Sequence, residues 1–539
     1  CALPISELLD RYYGHVDRRH LGITFHIVSS WKPRPVSLNL HEFGSDDSET
    51  MITFILVVCL IILYLYVFFT VEKPRTLPPG PRGVPFFGYF LSMNIFQPEK
   101  TLTGLKKKYG PLVTVPFGVT NVVVVNDYKL AKQIYSSPHS TGKLDKFRDV
   151  LFKETGEPAG MVFSWGKKWQ YWRTFCLRHF SATGFKRCHF NDLLEEELQK
   201  FLQRIDSESG TVVNSQFLFV GPFLNTVWRV IAGRSMKLED KTVHYVHKLM
   251  DQHFKSLVVT TILVMMPKFC YKIFPKWLYG HHYTFQVKQW FHGYTMRLLE
   301  ESRQNFDANR PRHMIDGYLA DVSENEKLKS SINDDDLPWV FYDLFAGATD
   351  TGTSTMSFAM LQLLHGPHHQ TRMQTDIDTV TDRSRPVNLD DVDKLPYVTA
   401  FISEVQRTAN ITPISTMHMT TDDLPVGPYL IPKGTVVTVN FDAIHFDPDQ
   451  WPDPTRFDPE RFLDSGGKYR PREAFFPFSV GKRRCLGEEF AKAELFLFLS
   501  RMLQEYSVLP VPGSRPPPVK RSLSMIISPQ PFDFFIKRR

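Results

Sequence analysis

Residues 477–487 read PFSVGKRRCLG and run straight into EEFAKAELFLFLS (488–500), whose apolar periodicity predicts a helix over Glu488–Leu503. A thiol set just ahead of a helix faces the positive end of its peptide dipoles, so the Cys485 pKa is expected to fall. Gly481 permits a tight turn and close backbone approach that most side chains would block. Gly487 is expected to let the following helix pack closely, and Arg483 offers a planar fork of donors to a carboxylate. The other cysteines, Cys1, Cys59, Cys176, Cys188 and Cys270, form no Cys-x-x-Cys pair and no zinc spacing. Six thiols so scattered fit a reducing compartment, with the isolated ones as small core residues, and not a disulfide-stapled secreted protein.

Five fixed positions in ten residues, Phe478, Gly481, Arg483, Cys485 and Gly487, spell Phe-x-x-Gly-x-Arg-x-Cys-x-Gly. In this motif the chain resembles the cytochrome P-450 family, and the helix after it resembles the microsomal drug- and steroid-metabolising branch of animals. The resemblance covers roughly residues 75–539. It implies a mainly α fold with small β-sheets, a single large domain, and haem (protoporphyrin IX iron) with Cys485 as the metal ligand. A thiolate ligand pushes electron density onto haem iron and favours O–O cleavage. The resemblance further places Arg483 on a haem propionate and Phe478 against the ligand loop.

Four other matches fall in family order. Trp169 and Arg173, in GKKWQYWRTF, are four residues apart and share a face if helical; the resemblance puts them at a propionate. Glu404 and Arg407, in FISEVQR, together with Arg461, resemble a buried Glu–Arg–Arg network that locks the fold, since a buried cation needs paired carboxylate oxygens. His418, thirteen residues before Ile431, resembles a propionate-binding His, although Met419 replaces the usual basic residue after it; a surface-loop His is the alternative.

Phe345–Thr355, FAGATDTGTST, is poor helix material inside the long helical pattern Trp339–Leu364. Such a local conflict is where function is expected. Asp350 and Thr351 match the family's acid–alcohol pair, which relays protons to bound dioxygen beside a helix distortion. Ala348 stands where Gly is usual, and Gly352 where Thr or Ser is usual. Alternatively, Thr351 simply bonds back to its own helix.

The remaining chain sets location and partners. Met51–Val71, MITFILVVCLIILYLYVFFTV, has no charge; about 20 such residues span a bilayer core of roughly 30 Å. Acidic residues precede it and Lys73, Arg75 and Arg82 follow, so the positive-inside tendency keeps the C-terminal part cytosolic. Residues 72–85, with Leu77-Pro78-Pro79-Gly80-Pro81, are expected as a Pro-rich linker acting as a semi-rigid spacer. Residues 1–50 are either a luminal extension or sequence upstream of the true start. The domain itself is expected over 86–539, with a hairpin at Thr114–Asp127 and helices at Asn191–Ile205 and elsewhere.

A composition of 42% apolar and 22% charged residues with net charge +7 is that of an ordinary folded protein. It argues against nucleic acid as a partner and suits an acidic protein surface or an anionic membrane. No Gly-x-Gly-x-x-Gly opens a strand–helix unit, so electrons must come from another protein. The resemblance names it as NADPH-cytochrome P-450 reductase, with cytochrome b5 as a second donor. Lys482 and Arg484, with Lys167, Lys168, Arg178, Lys186 and Arg187, are expected to face it. Ser256–Pro267 is apolar and reads either as a substrate entrance dipping into the bilayer or as a core helix. The implied activity is oxygen insertion into a small lipophilic substrate (steroid, terpenoid, fatty acid or xenobiotic) on the endoplasmic reticulum membrane. A haem-thiolate isomerase or dehydratase, or a non-enzymatic haem or lipid carrier, are the rivals.

Overall fold

The computed structural model describes residues 53–62, 64, 76–144, 160–180, 188–236, 241–267, 273–308, 310–324, 332–522 and 524–539. The chain divides into two compact units, Cys1–Arg75 and Thr76–Arg539. In the first, 53–62 and 64 are helical with mostly exposed apolar side chains such as Phe54 and Ile62. The rest of the predicted 51–71 anchor, and residues 1–50, lie outside the described residues. Among the described residues no helix is long and apolar enough to cross a membrane.

In the second unit the helices are α1 (Pro98–Tyr109), α2 (Tyr128–Ser136), α3 (Gly166–Phe180), α4 (Cys188–Glu208) and α5 (Ser215–Leu218). There follow α6 (Val220–Ala232), α7 (Lys241–Met265), α8 (His281–Gln304), α9 (Met314–Glu324) and α10 (Leu337–His365). The last are α11 (Pro367–Thr381), α12 (Pro396–Ala409), α13 (Asp442–His445) and α14 (Glu488–Glu505). The strands are β1 (Leu112–Phe117), β2 (Thr120–Val125), β3 (Val212–Asn214), β4 (His418–Met419), β5 (Leu424–Val426), β6 (Tyr429–Ile431), β7 (Val436–Val439), β8 (Tyr506–Leu509) and β9 (Asp533–Arg538). Helices dominate and the sheets are small, as the resemblance implies.

The expected hairpin is β1–β2, antiparallel, with Gly118 at φ +59° in its turn. β2 pairs in parallel with β7, which pairs antiparallel with β4, giving the order β1-β2-β7-β4. A second sheet, β3-β9-β8, ties the C-terminus to the α4–α5 connection, and β5–β6 form a separate hairpin. The main apolar core is built around α10, which is buried along most of its length and packs against α6, α8, α12 and α14. A helix apolar all round must sit inside.

Two expectations change. Residues 76–85 are not a free spacer. Pro78, Pro81 and Pro85 are buried, the Pro79 carbonyl accepts from the Thr114 N–H at 2.9 Å, and a Cβ on Gly80 would lie 2.0 Å from the Thr114 carbonyl. These residues belong to the second unit. Secondly, α10 runs as unbroken helix through 347–352; no distortion opens there. Gly352 has a packing reason instead, since its Cβ would stand 2.2 Å from the Phe223 ring on α6. Of the two readings of Ser256–Pro267 the core helix is the one that fits, with Leu257, Leu263, Val264 and Met265 buried.

The Glu404–Arg407 pair is as expected. Both side chains are fully buried, and Arg407 Nε and Nη2 each donate at 2.7 Å to one oxygen of Glu404. Arg407 also reaches the His445 and Pro454 carbonyls at 2.7 and 2.9 Å, while Arg461 Nε lies 3.5 Å from Glu404. Burial raises the Glu404 carboxyl pKa while the two arginines oppose that. One bidentate pair thus binds α12 to the meander ahead of the Cys485 loop. Glu404→Gln would leave a buried guanidinium without its counterion, at a cost of about 3–5 kcal/mol. Urea titration of the purified protein should show that loss.

Candidate active site

Cys485 sits at the end of a turn shaped by its backbone. Ser479 and Gly481 have φ of +62° and +78°, and a Cβ on Gly481 would lie 1.9 Å from the Tyr135 carbonyl, so only glycine fits. The Cys485 N–H donates to the Phe478 carbonyl at 2.8 Å, closing the turn. The Gly487 N–H, at the N-cap of α14, favours the thiolate form of Cys485. Gly487 itself has no protein atom within 4 Å of a would-be Cβ.

The thiol faces a cavity of about 520 Å³, lined among others by Trp169, Arg173, Leu177, Gly481, Arg484 and Leu486. Cys485 is exposed by surface area, yet that surface is cavity wall. Burial therefore raises the thiol pKa, against the Gly487 N–H and the Arg173 charge, which lower it. The expected fall does not occur, because desolvation outweighs the helix terminus. A cation on the sulfur would reverse this balance, as a coordinated thiol deprotonates.

Around the turn lies a group of buried and half-buried basic residues. The Arg483 guanidinium stacks over the Trp169 ring at 4.0 Å and donates to the carbonyls of Thr141 (2.7 Å), Ser164 (2.6 Å) and Met161 (3.2 Å). Burial, then the Arg173 charge, pushes its pKa down to about 9. Arg173 donates to the Arg484 carbonyl at 2.9 Å. His418, on β4, is buried and stacks on Tyr135 at 4.0 Å, so the surface-loop alternative fails. Its Nδ1 is buried without a partner, and burial, then Lys143 and Arg483, hold its pKa well below the usual value.

Sequence reasoning missed Lys143. Its ammonium donates to Thr416 Oγ1 at 3.2 Å and to the Met417 carbonyl at 3.0 Å, and burial holds its pKa well below the usual value. Reciprocal backbone bonds between Gly142 and Met419, at 2.8 and 3.0 Å, bring it beside His418. A basic group thus arrives from a distant segment where Met419 follows His418. Asp343 on α10 was also missed. It accepts from the N–H groups of Met161 and Val162, and burial pushes its carboxyl up to about 7 despite them.

Asp350 and Thr351 do not line the Cys485 cavity. Thr351 donates back to the Gly347 carbonyl at 2.6 Å. Burial, then the charge of Asp251, pushes Asp350 up to about 7. Of the predicted partner-facing cations, Lys168 pairs with Asp336 at 2.5 Å and Arg178 with Asp321, while Lys186 and Arg187 lie outside the described residues.

A model of the family described as Cytochrome P450 matches residues 78–535. The chain belongs to the cytochrome P450 family. It is a P450 monooxygenase, and the family's cofactor is haem iron, with NADPH as the electron source through a reductase. Cytochrome P450 2J3 of Rattus norvegicus is 30% identical over 472 residues, 87% of this chain and 92% of that protein. Cytochrome P450 2J2 of Homo sapiens is 29% identical over 466 residues, covering 85% and 90%. Farnesoate epoxidase of Bombyx mori is 29% identical over 469 residues, covering 86% and 94%.

The P450 site fits haem on its own chemistry. Arg483, Lys143 and the orphaned Nδ1 of His418 share one desolvated region in which, among the described residues, the carboxylate that acts on Lys143 is Asp343. Buried donors in such excess call for anions, which two propionates would supply. Lys143→Met should therefore have opposite effects in the two states. Without haem, removing a buried cation leaves stability unchanged or higher. With haem, retention against a competing apoprotein should fall. Thermal unfolding of the apoprotein and haem-transfer rates check the two arms.

Proposed function

We propose that this P450 inserts one atom of O₂ into a small lipophilic substrate, a steroid, terpenoid, fatty acid or xenobiotic, by hydroxylation or epoxidation. The observation that carries the reading is the Cys485 thiol, held by backbone alone over a cavity beside buried basic side chains. Haem iron, when bound, supplies the binding and reductive activation of O₂. Cys485 would be its protein ligand, steadied by the Gly487 N–H. Arg483, Lys143 and His418 would hold the propionates, with Trp169 shielding Arg483 on one side and Arg173 beside the sulfur.

Protons fall to α10. With its carboxyl near 7, Asp350 takes and gives up a proton at neutral pH with little driving force either way, the condition for an efficient relay. Thr351 donates its hydroxyl hydrogen to Gly347, so its oxygen lone pairs are left to accept.

Electrons would come from NADPH-cytochrome P-450 reductase, with cytochrome b5 as a second donor. Exposed Lys482 and Arg484 beside Cys485 suit an acidic partner, and such steering weakens with salt. A location on the cytosolic face of the endoplasmic reticulum, anchored once through 51–71, is supported by the charge-free run there. The exposed apolar side chains Phe86, Phe87, Leu91 and Phe96 add to it. The name of the Bombyx mori relative supports epoxidation as one of the two reactions.

Purified enzyme screened with steroids, terpenoids, fatty acids and drugs should show a low-to-high-spin haem shift with at least one class. That class should then drive NADPH consumption with reductase. Binding without consumption across the whole panel would favour a carrier. Thr351→Ala should divert electrons to peroxide; unchanged coupling would remove Thr351 from the mechanism.

A further inference from the structure

His247 on α7 brings its Nε2 to 3.6 Å from Oδ1 of Asp350 on α10, with the two side chains 14% and 16% exposed. That gap is long for a direct hydrogen bond, but close enough for opposite charges to set each other's protonation. One turn further along α7, Asp251 adds a negative charge that raises Asp350. Asp251 is itself 42% exposed and pairs with Lys255 at 2.7 Å. Tyr342, two turns earlier on α10, also feels the Asp350 charge. The pair therefore lies between the proton-handling stretch of α10 and a solvent-exposed ion pair on α7.

We propose that His247 is the positioning residue that recharges Asp350 with protons drawn from solvent beside Asp251 and Lys255. In the step one solvent water bridges the 3.6 Å gap: the N–H bond at His247 Nε2 breaks as an O–H bond forms on that water, and the water gives one of its own hydrogens to Asp350 Oδ1. The imidazolium becomes neutral, the carboxylate becomes an acid, and no electrons change hands. Asp350 then passes its proton towards Thr351, and solvent reprotonates the imidazole. With its carboxyl at about 7, Asp350 takes the proton at neutral pH and gives it up again with little driving force either way.

The inference rests on the proton-handling role given to Asp350 above, so the decisive readout is independent of turnover. Infrared difference spectra of the haem-loaded full chain, from about pH 5.5 to 8.5, follow the carbonyl stretch of the protonated Asp350 carboxyl. The band is assigned by its loss in Asp350→Asn. His247→Gln keeps the size but cannot carry charge, and it should move the midpoint up by about one pH unit or more. His247→Lys, with a lasting cation, should move it down. If either variant fails to fold, the other carries the test. A wild-type midpoint in the folded variants overturns the proposal. In turnover with reductase, the fraction of NADPH electrons reaching product should fall in wild type as pH rises through the histidine range. In His247→Gln it should be low at every pH. A His247→Gln enzyme that keeps the wild-type pH profile also overturns it.

Discussion

The site depends on one backbone constraint. The chain at Gly481 must turn with φ of +78° against the Tyr135 carbonyl, where no side chain fits, and this aims Cys485 into the cavity. The turn is closed by the Cys485 N–H on the Phe478 carbonyl and continued by α14, so the sulfur is placed by main chain alone. Arg483, two residues earlier in the same turn, is fixed by three backbone carbonyls that come from 141–164. The sulfur and the guanidinium are thus positioned together.

From Arg483 the coupling extends to α10. The Met161 carbonyl accepts from Arg483 while the Met161 N–H donates to Asp343, so one short segment joins the ligand turn to the central helix. Eight residues beyond Asp343 the same helix carries Thr351, with Asp350 beside it and within reach of α7. Asp343, which ties α10 to the ligand turn, and Asp350 lie seven residues apart, close to two full turns, on one side of the same core helix. The fully buried Glu404–Arg407 pair holds the other side of that core.

Features encoded in a few neighbouring residues were legible in the sequence. PFSVGKRRCLG gave the turn and its sulfur, Glu-x-x-Arg gave the buried pair, and β-branched residues around Gly118 gave the hairpin. Lys143, Asp343 and His247 were not legible, because each acts through contacts with segments far away in sequence. Lys143 meets Met417 at a separation of 274 residues and Asp343 meets Met161 at 182. The thiol pKa was misjudged for a related reason. A helix terminus is visible locally, but the burial that outweighs it belongs to the assembled fold. Gly352 departs from the usual pattern because of the Phe223 ring on another helix.

The central claim is that the Cys485 sulfur is bound to iron, and carbon monoxide added to the reduced protein tests it directly. With thiolate ligation the main haem band is strongly red-shifted, and Cys485→His should bind haem and lose that shift. A wild-type protein that binds haem without the shift, or a Cys485→His variant that keeps it, would contradict the account.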